Sequence, residues 1–252
     1  MINEQFISLF NKYWLDNQRQ FYIAFGLLIL VVWYAVNSAQ DVISQHPETH
    51  AGREIVFSQY VWVIIYKGYF LTIFSLASFV LGLGGPIEER LSGTALFTLS
   101  LPVYRRTLIR AKVLASSTQI VVLATGSVVY IPLISMLFGF TYPFQHALLF
   151  SLLMIIGGFF FMMLGLYLSF TISRQMVVIP VGVTIMSLMF FIMKTPLLKH
   201  LNIFNFMTGA GYLSDTTFLF NQTINIGGIF VILGGLFMAT RLLERMFKKV
   251  DV

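Results

Sequence analysis

Six long apolar stretches, none containing an Asp or Glu, constrain this chain more than any other feature. They run through residues 21–36, 60–83, 113–138, 147–172, 176–193 and 224–240. A helix needs about 20 mostly apolar residues to cross a bilayer. The 252 residues are 58% hydrophobic and only 10% charged, where a soluble domain carries about 25% charged residues to keep its surface wet. Mean hydropathy is +0.84. A soluble enzyme, a nucleic-acid reader and a disordered tail are therefore excluded. Cysteine is absent, which removes disulfides, thiolate metal sites and cysteine nucleophiles.

The basic residues orient the spans. With both termini on the cytoplasmic side, 12 of the 16 Lys and Arg fall inside, and Arg53, Lys67, Lys194 and Lys199 fall outside. Positive charge left on the cytoplasmic side sets topology. Aromatic residues agree: Trp33 and Tyr34 close the first span, and Tyr60, Trp62 and Tyr66 open the second, all at the outer interface. The fifth stretch is the shortest and is expected to tilt or kink. About twenty polar and amphipathic residues precede the first span, and Asn37-Ser38-Ala39 is a poor cleavage site, so a retained helix is expected and not a signal peptide.

Two segments outside the spans carry pattern. Residues 2–16 place Ile2, Phe6, Leu9, Phe10, Tyr13 and Trp14 on one side at helical spacing, which predicts an amphipathic helix lying in the membrane interface. It serves as an anchor or as a contact for a cytoplasmic partner. Between spans 2 and 3, Gly85-Pro86 ends one helix and starts another. Glu88 and Glu89 then sit in its first turn, where the helix dipole favours acids. Ile87, Leu91, Ala95 and Leu99 recur every four residues, so a short amphipathic helix is expected on the cytoplasmic side. On charge alone this basic loop would merely fix topology.

The sequence Glu89-Arg90-Leu91-Ser92-Gly93-Thr94, then Leu101-Pro102-Val103-Tyr104-Arg105, then Lys112-Val113-Leu114-Ala115 resembles the inner-loop signature of ABC-2 type transporter permeases. That pattern reads E-R-x-x-G-T, L-P-V-x-R and K-x-L-A. Tyr104 stands where Ser is common, and Ala111 where Gly often precedes the Lys. The resemblance implies an all-α integral membrane fold of six transmembrane helices in one domain over 1–252, with an N-terminal interfacial helix and a cytoplasmic coupling helix between spans 2 and 3. It implies that Glu88, Glu89, Arg90, Gly93, Thr94, Pro102 and Arg105 dock this loop onto a cytoplasmic ABC ATPase, which supplies ATP and Mg. It also implies that the apolar stretch before the last span dips back into the membrane as an outer gate, with Gly209 and Gly211 as its breaks.

Energetics point to a separate motor independently of that resemblance. Ion-coupled transporters place ionisable groups at mid-membrane, and here no span interior has a carboxylate. No G-x-x-x-x-G-K-[ST] phosphate loop occurs either, so the chain is expected to hold no cofactor and to hydrolyse nothing itself. Lys67 is expected to extend its ammonium to the outer headgroups; the alternative is a contact for anionic cargo. Ser75, Ser78, Gly82 and Gly85 follow one another at three- or four-residue steps. Such a small-residue face lets helices approach closely, within the chain by default, or otherwise along a pathway or dimer seam. The methionines of spans 4 and 5 read as adaptable packing, and His46, Glu48 and His50, split by Pro47, make a poor metal site.

The expected function is the permease subunit of an ATP-driven exporter of hydrophobic or amphipathic cargo. It would sit in a bacterial cytoplasmic (inner) membrane among lipids, paired with a second permease subunit. The alternative is a membrane scaffold or sensor that docks a cytoplasmic partner through the same loop.

Overall fold

The computed structural model describes residues 2–44, 56–84, 105–172, 175–192, 195 and 202–210. The expected coupling helix, span 6 at 224–240, Gly211 and the His46–His50 cluster lie outside the described residues. Within them the chain is helical, with no strand. Seven helices follow in order: α1 (Ile2–Asp16), α2 (Gln18–Ser44), α3 (Val56–Leu83), α4 (Arg105–Leu137), α5 (Phe144–Thr171), α6 (Gln175–Ile192) and α7 (Ile203–Met207).

Four of these are long and apolar enough to cross a bilayer: Gln18–Val42, Val56–Leu83, Thr107–Leu137 and Phe144–Thr171; Val177–Ile192 is apolar but shorter. Over the described residues the chain is all-helical, and its four long apolar helices mark a membrane-embedded protein. Its outward faces carry Leu27, Leu30, Val129, Leu133, Met136 and Phe191 exposed. Such a surface is stable against lipid tails and not against water.

α3 sits at the centre, packed by α2, α4, α5 and α6. Its core contacts are aromatic: Phe74 and Phe79 are fully buried together with Ile120, Leu123, Phe161 and Leu166. Glycine lets α3 and α5 meet backbone to backbone. A Cβ on Gly82 would strike the Met162 carbonyl, and one on Gly165 would strike the Phe79 carbonyl. Lipid offers no hydrophobic gain for helix pairing, so this close van der Waals contact is what holds the two spans together.

α1 does more than lie on a surface. Leu9 and Tyr13 are buried against Leu108, Ala111 and Ala115 of α4, with Phe6 and Phe10 alongside. The apolar stripe read from residues 2–16 is therefore spent partly on another helix. α4 accordingly begins at Arg105, eight residues before the apolar stretch, because its first turns are a docking surface and not a lipid-facing one.

α3 also departs from plain α geometry. Val61–Phe70 winds as a π-helix, with i→i+5 hydrogen bonds, a winding that is rare and frequent at functional sites. An apolar run gives no sign of this, since both windings suit the same residues.

Candidate functional site

Asn17 is the one residue between α1 and α2, and it is 1% exposed. Its Nδ2 donates to the Leu81 carbonyl at the end of α3 (3.2 Å) and to Ser116 Oγ on α4 (3.2 Å). Ser116 Oγ in turn donates to the same Leu81 carbonyl at 2.9 Å. One carboxamide thus joins three helices. A turn further along α4, Gln119 Nε2 donates to the Trp14 carbonyl at 3.2 Å. Lys112, one turn before Ser116, is also buried. Breaking a buried hydrogen bond leaves its groups unsatisfied at a cost, so these bonds fix the register of α1, α3 and α4 against one another.

The location gives the junction its interest. α3 ends at Leu83 and Gly84, α4 begins at Arg105, and the intervening chain is the loop whose sequence resembles a coupling element. Gly84 lies against the Asn17 carboxamide so closely that a Cβ there would strike Oδ1. Asn17 thus meets the α3 root of the loop directly and reaches α4 at Ser116, eleven residues beyond its first residue. Glu88, Glu89, Arg90, Gly93, Thr94 and Pro102 lie outside the described residues, and Arg105 is placed as the first residue of α4.

Ser75, Ser78 and Gly82 are on one face of α3. Ser75 and Ser78 are 2% and 0% exposed, Ser78 Oγ lies beside Gly158, and Gly82 abuts Met162. That face is filled by α5 of the same chain.

At the other end of the bundle the chain after α6 turns back among the spans. Asn202 caps α7, its Oδ1 accepting from the Phe204 and Asn205 amides at 3.0 and 3.2 Å. Ile203, Phe204, Phe206, Met207 and Thr208 are buried. Met207 packs on Gly157, thirteen residues into α5 and so about 20 Å along it at 1.5 Å per residue. The Phe204 ring lies 5.4 Å from Phe161 and 5.3 Å from Phe190. Gly209 closes the segment at φ +65°, a left-handed conformation that glycine adopts without cost. Trp62, in the π-wound part of α3, donates from Nε1 to the Thr208 carbonyl at 2.8 Å. Lys67 Nζ sits 5.0 Å from the centroid of the Trp62 ring. The Lys67 side chain is exposed, and its ammonium lies over that indole.

Beside this segment lies an aromatic block. Tyr66 stacks on Phe150 at 4.1 Å, and Phe57 on Phe140 at 4.4 Å. Tyr142, in the short connection between α4 and α5, is 8% exposed. Burial pushes its phenol well above the usual tyrosine range, and the nearby Tyr66 hydroxyl acts weakly in the opposite direction. No group of three or more metal-ligating side chains occurs among the described residues.

Asn17, Ser116 and Thr208 were not marked by sequence pattern, and Trp62 only as a member of the outer aromatic belt. Asn17 had one available signal, its place at the seam between an amphipathic and an apolar run. No family model, no curated protein and no solved structure matches the chain.

Proposed function

We propose that this chain is the membrane-spanning permease subunit of an ABC-2 type, ATP-driven transporter. It has six spans and cytoplasmic termini, and works in a bacterial inner membrane beside a second permease subunit. Loop 86–112 receives the stroke of a separate ATPase, which binds the ATP and Mg, and the cargo exported is hydrophobic or amphipathic. Glu88, Glu89 and Arg90 make the docking charges. Gly93 and Thr94 give the turn, and Pro102 and Arg105 end the lever.

The buried Asn17 junction is the observation that carries this reading. A membrane subunit without nucleotide chemistry moves only if a rigid element transmits a partner's rigid-body motion to its spans. Asn17 ties the α3 root of the loop to the end of α1, and Leu9 and Tyr13 of α1 pack on the first turns of α4. A push on the loop then moves α1, α3 and α4 together instead of being lost in one hinge.

The test is co-purification with a soluble ABC ATPase expressed from the neighbouring gene, followed by stimulated hydrolysis. A Glu89→Ala/Arg90→Ala variant should insert normally and lose most of the stimulation. Cargo movement by the purified chain alone, or a loop 86–112 reachable only from outside, would refute the proposal.

A further inference from the structure

We infer that the Trp62 indole, positioned by Lys67, is a latch that holds segment 202–210 among the spans, and that releasing it lets the segment swing outward as a unit. This rests on the outer end of the bundle and does not depend on the transport reading.

The segment is built to move as one piece, because its polar groups are largely satisfied within it. The Asn202 side chain caps the Phe204 and Asn205 amides. The Thr208, Gly209 and Ala210 amides donate to Phe204, Phe206 and Asn205 carbonyls, and Thr208 Oγ1 donates to the Asn205 carbonyl. Apolar contacts seat it on the spans: Phe204 against Phe161 and Phe190, and Met207 in the hollow left by Gly157. Lipid tails are as apolar as the spans, so these contacts are largely replaced when the segment leaves. The Trp62 Nε1 to Thr208 carbonyl bond is not. The bond is partly buried, and breaking it leaves a donor and an acceptor that lipid tails cannot satisfy. It is therefore the attachment most specific to the inward position.

The π winding supplies the second part of the latch. In an α-helix, residues five apart point about 140° away from one another. In the i→i+5 winding of Val61–Phe70 they share a face. Lys67 is thereby brought over Trp62 at 5.0 Å, where the cation is attracted to the ring face and holds the indole with its N–H toward Thr208. Lys67 is a positioning residue, acting only through Trp62.

The chain has no cysteine, so a single introduced thiol reports cleanly. Thr208→Cys keeps the backbone carbonyl that accepts the bond, and the parent side chain is 2% exposed. Its thiol would react with a membrane-impermeant maleimide only while the segment is out. In protein reconstituted in lipid nanodiscs, Thr208→Cys should label far more slowly than Ala210→Cys, whose site is exposed. Adding Trp62→Phe removes the donor and keeps a ring, and should raise the Thr208→Cys rate about three- to tenfold, the range for one hydrogen bond. Trp33→Phe, at an exposed indole, should leave it unchanged. Lys67→Met should raise the rate, and Lys67→Arg should restore it. A buried reporter within the bundle, Ser78→Cys, separates local release from general loosening and should stay unreactive in the Trp62→Phe background. An unchanged Thr208→Cys rate in Trp62→Phe, equal rates at 208 and 210 in the parent, or parallel rises at 208 and 78 would overturn the latch. A Lys67→Met rate equal to the parent's, or no rescue by Lys67→Arg, would overturn the role of Lys67.

Discussion

At the scale of single residues, the contact between Asn17 and Gly84 makes a sharp prediction. Gly84 has φ −52° and ψ 160°, which alanine adopts freely, so the nearest obstacle to a methyl group there is the Asn17 carboxamide. Gly84→Ala should lower the thermal midpoint in detergent by several degrees, reflecting about 1–3 kcal/mol of overpacking. In an Asn17→Ala background the same change should be nearly neutral, because the obstacle is gone. Additive losses in the double variant, measured by thermal unfolding, would disprove the contact. Tyr142 gives a second expectation. Its phenol is raised by burial, so the folded chain holds that proton after an unfolded one has released it. Stability should therefore fall as pH climbs past about 10, the ordinary tyrosine value. Tyr142→Phe should flatten that alkaline decline, as followed by unfolding midpoints between pH 9 and about 11.

Among the helices, three glycines rank by what faces them. Gly82 meets the Met162 backbone, which cannot yield; Gly157 meets the end of the Met207 side chain, which can; Gly26 meets nothing within 4 Å. Gly82→Ala should thus be the most damaging, Gly157→Ala milder, and Gly26→Ala neutral or stabilising by about 0.5–1 kcal/mol from helix propensity. Unfolding midpoints in one detergent check the order. The sequence made the spans legible, since each expected apolar run through residue 193 coincides with a helix to within a few residues at one end or both, apart from the later end of α2 and the earlier start of α4. Those two exceptions share a cause. Residues 37–44 and 105–112 are polar enough to fall outside a hydropathy run, yet they remain helical. Apart from the Ser75, Ser78 and Gly82 face of α3, which face of each span is inward was not legible, because a lipid-facing Leu30 and a core Leu28 are the same residue to a pattern. The π winding of Val61–Phe70 and the Asn17 bonds were hidden for the related reason that one polar atom carries no periodicity.

For the molecule as a whole, α4 separates two ends of the bundle. α1 packs at its first turns, around Leu108 and Ala115, while the connection 138–143 leaves its far end. If α4 crosses the bilayer, these must lie on opposite sides. Single cysteines at Glu4 and Thr141, both exposed, should label from the cytoplasmic and the outer side respectively, in intact cells against inverted vesicles. Labelling of both from one side would disprove the crossing. The candidate site was legible only as a loop sequence between two spans; its anchor in a distant carboxamide was not, since Asn17 and Ser116 are 99 positions apart.

That separation has a consequence for biogenesis. α1 leaves the ribosome before α4, and its seat there is made of residues translated about 100 positions later. At about 5–20 residues per second, the stripe of Leu9 and Tyr13 waits several seconds without its partner, covered only by headgroups or by the insertion machinery. The helix α1 thus docks only once the start of α4 has been made, and a nascent chain halted before residue 105 should leave it open to protease.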